Sequence, residues 1–306
     1  MNRINLLFTN QENYEKWENQ KTNWHQTVND LNVSEIISFL EHINSDFQSQ
    51  YLYKPCLNIS DSNYRLAIME EILSNNELEE QLFSYSSTLK IMNQKLIEFN
   101  NEGNEFQKQY RYLRIVCQYF SCIHDMFGSL SGVKSEGLMS LYNYCKYIST
   151  NENYIQLSTF SESLLLEIKE MLTNNILVIE PVSKKFTFEK CNAELNESEQ
   201  LKSSIFNIFG ITINNMYSIV DPAPFSNMEG KILNELRHTY ENLFEKLNTF
   251  YDDSISLLTD IQSFSEIYEQ LLFYITYINF LKSAIKDGIA ICKPIFNESL
   301  FTAEAC

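Results

Sequence analysis

Residues 231–287, KILNELRHTYENLFEKLNTFYDDSISLLTDIQSFSEIYEQLLFYITYINFLKSAIKD, decide the fold class because they contain neither glycine nor proline. The apolar residues of this stretch keep the period of one helical face. As a single helix it would be about 85 Å long, closer to a coiled coil or a lever than to a usual globular helix. Asp252, Asp253 and Ser254 are the predicted internal break, because Asp and Ser prefer helix ends. The predicted seam consists of Ile232, Leu236, Leu243, Leu247, Phe250, Leu257, Ile261, Phe264, Tyr268, Leu271, Ile275 and Ile278.

Two more long helices are predicted in the first half of the chain. The first follows a heptad seam formed by Leu78, Leu82, Tyr85, Leu89, Met92, Leu96 and Phe99. Residues 100–104, NNEGN, supply a helix stop. The second helix is predicted to direct Phe106, Tyr110, Leu113, Cys117, Phe120, His124 and Phe127 inward. Shorter helices are expected from Ser34 to Ile43, with Ser34 as its cap, and after a cap formed by Ser60 and Asp61.

Strand patterns occur in two places. Ile176–Ile179 and Phe186–Phe188 flank Pro181, which predicts a β-hairpin or small sheet near residues 176–190. Residues 289–292 and Pro294 predict a short buried strand with no predicted neighbour, so we expect residues 289–306 to be loosely ordered, folded back on the helices or completed by another chain.

These patterns predict a mainly α fold in three parts. Residues 1–50 would form a small N-terminal helical unit. Residues 51–288 would form a helical core with long antiparallel lever helices and the small β element at 176–190. Residues 289–306 would be a strand-like tail leading towards a further domain.

The composition limits the class of function. A formal net charge of −17 argues against broad nucleic-acid affinity and leaves room only for a local basic contact. The 7 cysteines are irregularly spaced without a CxxC pair, which is typical of reduced thiols in a cytoplasm. The N-terminal residues lack the apolar core of a signal peptide, and residues 271–281 are too short to span a bilayer. A cytoplasmic protein with no membrane partner is the resulting expectation.

Three strings resemble the middle part of MutS-family DNA mismatch repair ATPases, in particular short MutS-related proteins that lack the mismatch-reading domain. They are MNRINLLF (1–8) followed by DLNV (30–33), LNISDSNYRLAIMEEIL (57–73) and FYITYINFLKSAIKDGIAICKP (273–294). The second string resembles the start of the helical core of that family, where an Arg-Gln pair is usual. Here Arg65 stands near the expected place, but no Gln follows it.

The resemblance implies a helical core and lever that carry signals between a DNA-gripping clamp and an ATPase dimer. The family's ATPase domain, which uses ATP and magnesium, would follow Pro294. No GxxxxGK[ST] loop occurs in this chain. We therefore expect no cofactor and no ATP hydrolysis by this chain alone, and an ATPase-bearing chain or a second copy as a partner.

The candidate nucleic-acid residues form two basic groups. Lys184, Lys185 and Lys190 crowd the predicted hairpin, which in the resemblance occupies the clamp position. Three further cations, Lys108, Arg111 and Arg114, recur every three residues on one helix. Phosphate contact is physically reasonable for both groups, and solvated faces that balance an acidic protein are the alternative.

No catalytic, cofactor or metal residue is predicted. Cys117, Cys122 and His124 fall short of the four ligands of a structural zinc site. Asp252 and Asp253 lack the third carboxylate that a diphosphate-binding magnesium motif needs. The leading hypothesis is a MutS-like core and lever segment, associated with DNA mismatch repair or DNA binding, that transmits conformational change and does not catalyse a reaction by itself. The alternative is an acidic helical protein–protein interaction module with no DNA role.

Overall fold

In the computed structural model of the chain, the described residues are 4–20, 25–30, 32–101, 105–173, 175–180, 185–190, 227–296 and 301–305. Their helices are α1 (Gln11–Glu18), α2 (His25–Asp30), α3 (Val33–Ile43), α4 (Gln50–Tyr53), α5 (Ile59–Leu73), α6 (Asn76–Asn101), α7 (Glu105–Ser129), α8 (Glu136–Thr150), α9 (Glu152–Thr173), α10 (Asn227–Thr239), α11 (Glu241–Ser254), α12 (Leu258–Ser265) and α13 (Ile267–Lys286). The strands are β1 (Asn175–Glu180), β2 (Lys185–Lys190), β3 (Cys292–Phe296) and β4 (Phe301–Ala305). The predicted mainly α fold is confirmed.

The chain forms two compact units, each assembled from separate stretches. Unit 1 consists of Met1–Asn93, Ser121–Asn151 and Asp260–Cys306. Unit 2 consists of Gln94–Phe120 and Glu152–Thr259.

The core of unit 1 is built around an N-terminal segment with no regular secondary structure. Leu6, Leu7 and Phe8 are at most 1% exposed, although the segment forms neither helix nor strand. Buried backbone groups must find partners, and here side chains of α5 and α13 supply them. The Tyr274 hydroxyl donates to the Leu6 carbonyl at 2.5 Å, and the Leu6 amide donates to Gln270 Oε1 at 2.6 Å.

Helix α5 supplies further partners of this segment, and the Asn5 side chain itself accepts from the Leu7 and Phe8 amides at 2.9 Å. The Tyr64 hydroxyl donates to the Asn5 carbonyl at 2.7 Å, and Arg65 Nε donates to the Leu7 carbonyl at 2.8 Å. The Arg65 guanidinium lies 4.6 Å from the centre of the Phe8 ring, in cation–π contact. The buried Asp61 carboxylate accepts from the Thr9 amide at 2.8 Å. The segment is therefore tied to α5 at almost every residue.

Helix α8 packs against α5 at close range because of one glycine. A Cβ atom on Gly137 would lie 2.4 Å from Cδ1 of Ile68. Nearby, the Glu71 carboxylate of α5 accepts from the backbone amide of Ser135, which precedes the first turn of α8, at 2.7 Å. A carboxylate at a helix N-terminus is a favourable arrangement.

The predicted heptad seam of α6 is buried, with Tyr85 half-buried. Helices α6 and α7, of 26 and 25 residues, run antiparallel. In unit 1 the Tyr85 hydroxyl bonds to the Ser129 hydroxyl, and in unit 2 Glu98 pairs with Arg111 near the other ends of the two helices. His124 was predicted to face inward, but the structure shows it exposed.

In unit 2, α9 and α11 also run antiparallel. Lys246 Nζ lies 2.8 Å from Glu167 Oε2, and the rings of Phe160 and Phe250 have centroids 5.9 Å apart. Strand β1 starts two residues after the end of α9 and pairs with β2 in antiparallel register, Val178 opposite Thr187. Helix α10 lies beside β2. The predicted β element thus lies between α9 and α11 in the order of the chain.

Residues 231–287 lie in four successive helices and do not form one continuous helix. Helix α11 ends at Ser254, as the Asp-Asp-Ser pattern predicts, and a 3-10 turn follows at Ile255–Leu257. Two further breaks, at Tyr240 and Glu266, carry no Gly, Pro or capping side chain and were not predicted. The described members of the predicted seam are still buried, apart from half-buried Leu243 and Tyr268. The breaks interrupt the helix without changing the pattern of buried residues.

Two predicted helix caps are wrong by a few residues. Helix α3 begins at Val33, so Ser34 lies inside it, and the N-cap is Asn32 with φ of 55°. Helix α5 is capped by Asn58, whose side chain accepts from the Asp61 amide at 2.7 Å. Asn is as good an N-cap as Ser, so the polar residues before each of these helices include more than one possible N-cap.

The predicted C-terminal strand is also wrong in position and environment. Strand β3 starts at Cys292, and Ile289 is 60% exposed, not buried. Strand β3 pairs antiparallel with β4, with Lys293 opposite Glu304. The neighbouring strand that the sequence analysis missed lies a few residues further along the same chain. Lys293 also forms an ion pair with Glu70 of α5, at 2.5 Å.

Replacing Tyr274 by Phe should lower the free energy of unfolding by about 1–3 kcal/mol, because the buried Leu6 carbonyl loses its donor. Tyr277→Phe is the matched control, because the Tyr277 hydroxyl, one turn along α13, makes no hydrogen bond with any residue that the structure describes. Urea unfolding of both variants measures the difference. Equal losses in the two variants would contradict the role assigned to Tyr274.

Candidate functional site

The hairpin lysines are the first predicted group. Lys185 and Lys190 stand at the two ends of β2, opposite Glu180 and Asn175 respectively. Lys184 lies outside the described residues. The structure therefore places two of the three candidates on one strand beside α10, and phosphate contact by this group stays a prediction.

The second predicted group does not form an exposed row of cations. Arg111 is only 9% exposed, and its Nη1 lies 2.9 Å from Glu98 Oε2. Lys108 Nζ lies 5.2 Å from the centre of the Phe99 ring, and the Arg114 guanidinium lies 5.9 Å from that of Tyr110. Arg111 therefore does not lie on a solvated face, which was the alternative interpretation of this group.

A lysine that the sequence analysis did not single out joins this group. Lys95 Nζ of α6 donates to Gln118 Oε1 of α7 at 2.5 Å. Lys95 and Glu98 are one turn apart on α6, while Arg111, Arg114 and Gln118 follow one another at helical spacing on α7. We call these five residues the Lys95 cluster. Lys95, Glu98, Arg114 and Gln118 are half-buried.

Burial has the largest effect on the electrostatics of the cluster, and the neighbouring charges modify it. Burial and the nearby charge of Arg114 lower the pKa of Lys95 to about 8, and Glu98 only partly opposes this change. Burial raises the pKa of the Glu98 carboxyl, although Arg111, Lys95 and Arg114 all favour its charged form. Lys95 and Glu98 are therefore partly removed from water, and the neighbouring opposite charges only partly offset the effect of burial on their pKa values.

The sequence contained a weak signal for Lys95. It follows the seam residue Met92 by three positions, so it borders the apolar seam of α6 instead of lying on its exposed side. Recognising the cluster also requires the register of α6 against α7, which brings Lys95 opposite Gln118. A pattern within one helix cannot supply that register.

The structure offers little support for other chemistry. Across the residues that the structure describes, no three His, Cys, Asp or Glu side chains lie close enough to hold a metal ion. Cys122 is buried, and burial raises the pKa of its thiol to about 12, which disfavours the reactive thiolate. Asp252 and Asp253 are exposed near the end of α11.

None of the described helices combines the length and the apolar character needed to cross a bilayer. No model of a known protein family, no curated protein and no solved structure matches this chain.

The lowered pKa of Lys95 predicts a specific pH dependence. Between about pH 8 and pH 10.5 the unfolded chain still holds the Lys95 proton that the folded chain has released. Stability rises with pH wherever the unfolded state binds more protons. The free energy of unfolding of the parent, relative to that of Lys95→Met, should therefore increase as the pH rises through this window.

Urea unfolding across this pH range measures the difference. Lys146→Met, at an exposed lysine of α8, is the control and should follow the parent. A constant difference between the parent and Lys95→Met would show that Lys95 releases its proton at the same pH in both states.

Proposed function

We propose that this chain is a MutS-like core and lever segment that associates with DNA in mismatch repair. In this proposal it transmits conformational change and does not catalyse a reaction by itself. The observation that carries the proposal is the arrangement in unit 2, where α9 leads into the β1–β2 hairpin and α11 returns antiparallel to α9. A helix pair that carries a small β element is what the MutS resemblance implies for a lever and its clamp.

The rest of the proposal follows from the resemblance and from the sequence. DNA would contact the hairpin lysines, because a local basic patch is compatible with an acidic protein when the contact is short. Without a phosphate-binding loop the chain would depend on an ATPase-bearing chain or a second copy for nucleotide-driven movement. ATP and magnesium would belong to that ATPase domain, and the complex would act in the cytoplasm.

Charge reversal at the hairpin tests the DNA contact. Lys184→Glu with Lys185→Glu should abolish binding of duplex DNA, because the two substitutions replace attraction to phosphate by repulsion. The matched control, Lys134→Glu with Lys146→Glu, changes the net charge equally at exposed lysines of unit 1. Fluorescence anisotropy at low salt measures both variants.

The control variant separates a local contact from the effect of total charge. If both double variants lose DNA equally, net charge decides binding and the hairpin has no special role. Unchanged binding in the hairpin variant would overturn the assignment of the contact.

A second candidate function is an acidic protein–protein interaction module, and one surface favours it. Ile36, Phe39 and Ile43 recur at helical spacing on α3 and are 36%, 46% and 41% exposed. The Phe39 ring meets Phe280 of α13, with centroids 5.8 Å apart. An apolar stripe on an exposed helix face is a common docking surface for another helix.

Site-specific photo-crosslinking in the native host tests this second function. A photo-reactive phenylalanine analogue at position 39 should give discrete protein adducts if α3 is a docking face. The same analogue at position 83, an exposed Phe of α6, is the control and should give none. Equal labelling at the two positions would remove the case for the α3 stripe.

A further inference from the structure

The Lys95 cluster carries more positive charge than its surroundings require. Arg111 pairs with Glu98, whereas the other two cations, Lys95 and Arg114, form no ion pair with any residue that the structure describes, which leaves an excess of two positive charges among those residues. The excess occurs in a chain whose formal net charge is −17. Like charges held together cost stability unless another charge compensates them.

The Glu98 carboxylate forms an ion pair with one of the three cations, Arg111. Its Oε2 lies 2.9 Å from Arg111 Nη1. Lys95 donates instead to the neutral amide of Gln118, at 2.5 Å, and Arg114 lies against the ring of Tyr110. Neither Lys95 nor Arg114 forms an ion pair with any residue that the structure describes.

The two helices hold these cations at a defined place. Gln118 follows Arg114 by one turn of α7, and Gln118 binds Lys95 across the helix pair, so Lys95 and Arg114 lie side by side. Both are half-buried, so they remain accessible to a small ion while being restricted by packing. Arg111 lies one turn before Arg114, with its position fixed by Glu98.

We infer that Lys95 and Arg114, with Arg111 beside them, form a binding site for a phosphate oxyanion. The source is either free inorganic phosphate or the phosphate group of a nucleic-acid backbone. Inorganic phosphate carries about 1.5 to 2 negative charges near neutral pH, which matches the excess charge of the cluster, and a backbone phosphodiester carries one. The guanidinium and ammonium groups supply the charge-assisted hydrogen bonds that phosphate oxygens accept.

This site does not depend on the hairpin contact of the proposed function. It uses none of the hairpin lysines, and free phosphate would occupy it equally in a protein with no DNA role. Loss of DNA binding in the hairpin variant would not affect phosphate binding at the Lys95 cluster. Absence of phosphate binding at the cluster would say nothing about the hairpin contact.

Isothermal titration with inorganic phosphate, against chloride at equal ionic strength, tests the inference. The parent should bind one phosphate saturably, and Arg114→Gln should weaken binding about tenfold or more, because one charged hydrogen-bonding partner is lost. Glu98→Gln should tighten binding, because it removes the carboxylate that competes with phosphate for the cations of the cluster. Lys146→Gln is the control and should match the parent.

The opposite effects of Arg114→Gln and Glu98→Gln distinguish a binding site from a general loss of structure, since unfolding cannot tighten binding. Titration of the same variants with a short single-stranded oligonucleotide identifies the source. Parallel changes in both titrations support a nucleic-acid phosphate, and changes with inorganic phosphate alone support a free ion. Absence of saturable phosphate binding, or equal binding by the parent, Arg114→Gln and Glu98→Gln, would overturn the inference.

Discussion

The structure of unit 1 depends on hydrogen bonds from side chains to an N-terminal segment that has no secondary structure of its own. Leu6, Leu7 and Phe8 are buried, and their backbone groups would be costly without partners. Tyr274, Gln270 and Arg65 supply partners for Leu6 and for the Leu7 carbonyl from two helices that are distant in sequence, and the Asn5 side chain accepts from the Leu7 and Phe8 amides. The segment therefore fixes where α5 and α13 lie, because both helices must present their polar groups to the same few peptide units. The shared partners also couple the ends of unit 1 that lie furthest apart along the chain.

Sequence periodicity was sufficient to predict the parts of the fold in which a regular spacing of apolar residues determines the structure. The seam of α6 and the seam of the C-terminal helices were predicted from apolar spacing, because burial of one face determines each, and the β1–β2 hairpin was predicted from two apolar runs that flank Pro181. The sequence did not reveal the helix breaks at Tyr240 and Glu266, because neither has a breaker residue and packing decides them. It also missed β4, whose pairing with β3 depends on a return of the chain.

The candidate site shows the same division between local and tertiary information. Three cations on α7 were visible as a spacing pattern, but the pattern could not show that Glu98 neutralises Arg111 or that Lys95 approaches from α6. The register of α6 against α7 brings these charged side chains together in one cluster. In unit 2 the Lys95 cluster gives an acidic chain one local group of cations, and in the proposal the hairpin lysines would be a second. Local charge of this kind positions a phosphate without conferring broad affinity for nucleic acid.

Titration of labelled duplex DNA with the protein over a range of salt concentrations tests the central claim of a DNA-associated lever most directly. The account predicts saturable binding at low salt that weakens as salt rises. The logarithm of the association constant should fall linearly with the logarithm of the salt concentration, with a small slope of about −0.9 for each phosphate contacted. A mismatched and a fully paired duplex should bind equally, because the resemblance is to proteins without the mismatch-reading domain. Absence of saturable binding to either duplex at the lowest salt would contradict the account and leave the α3 stripe as the better guide to function.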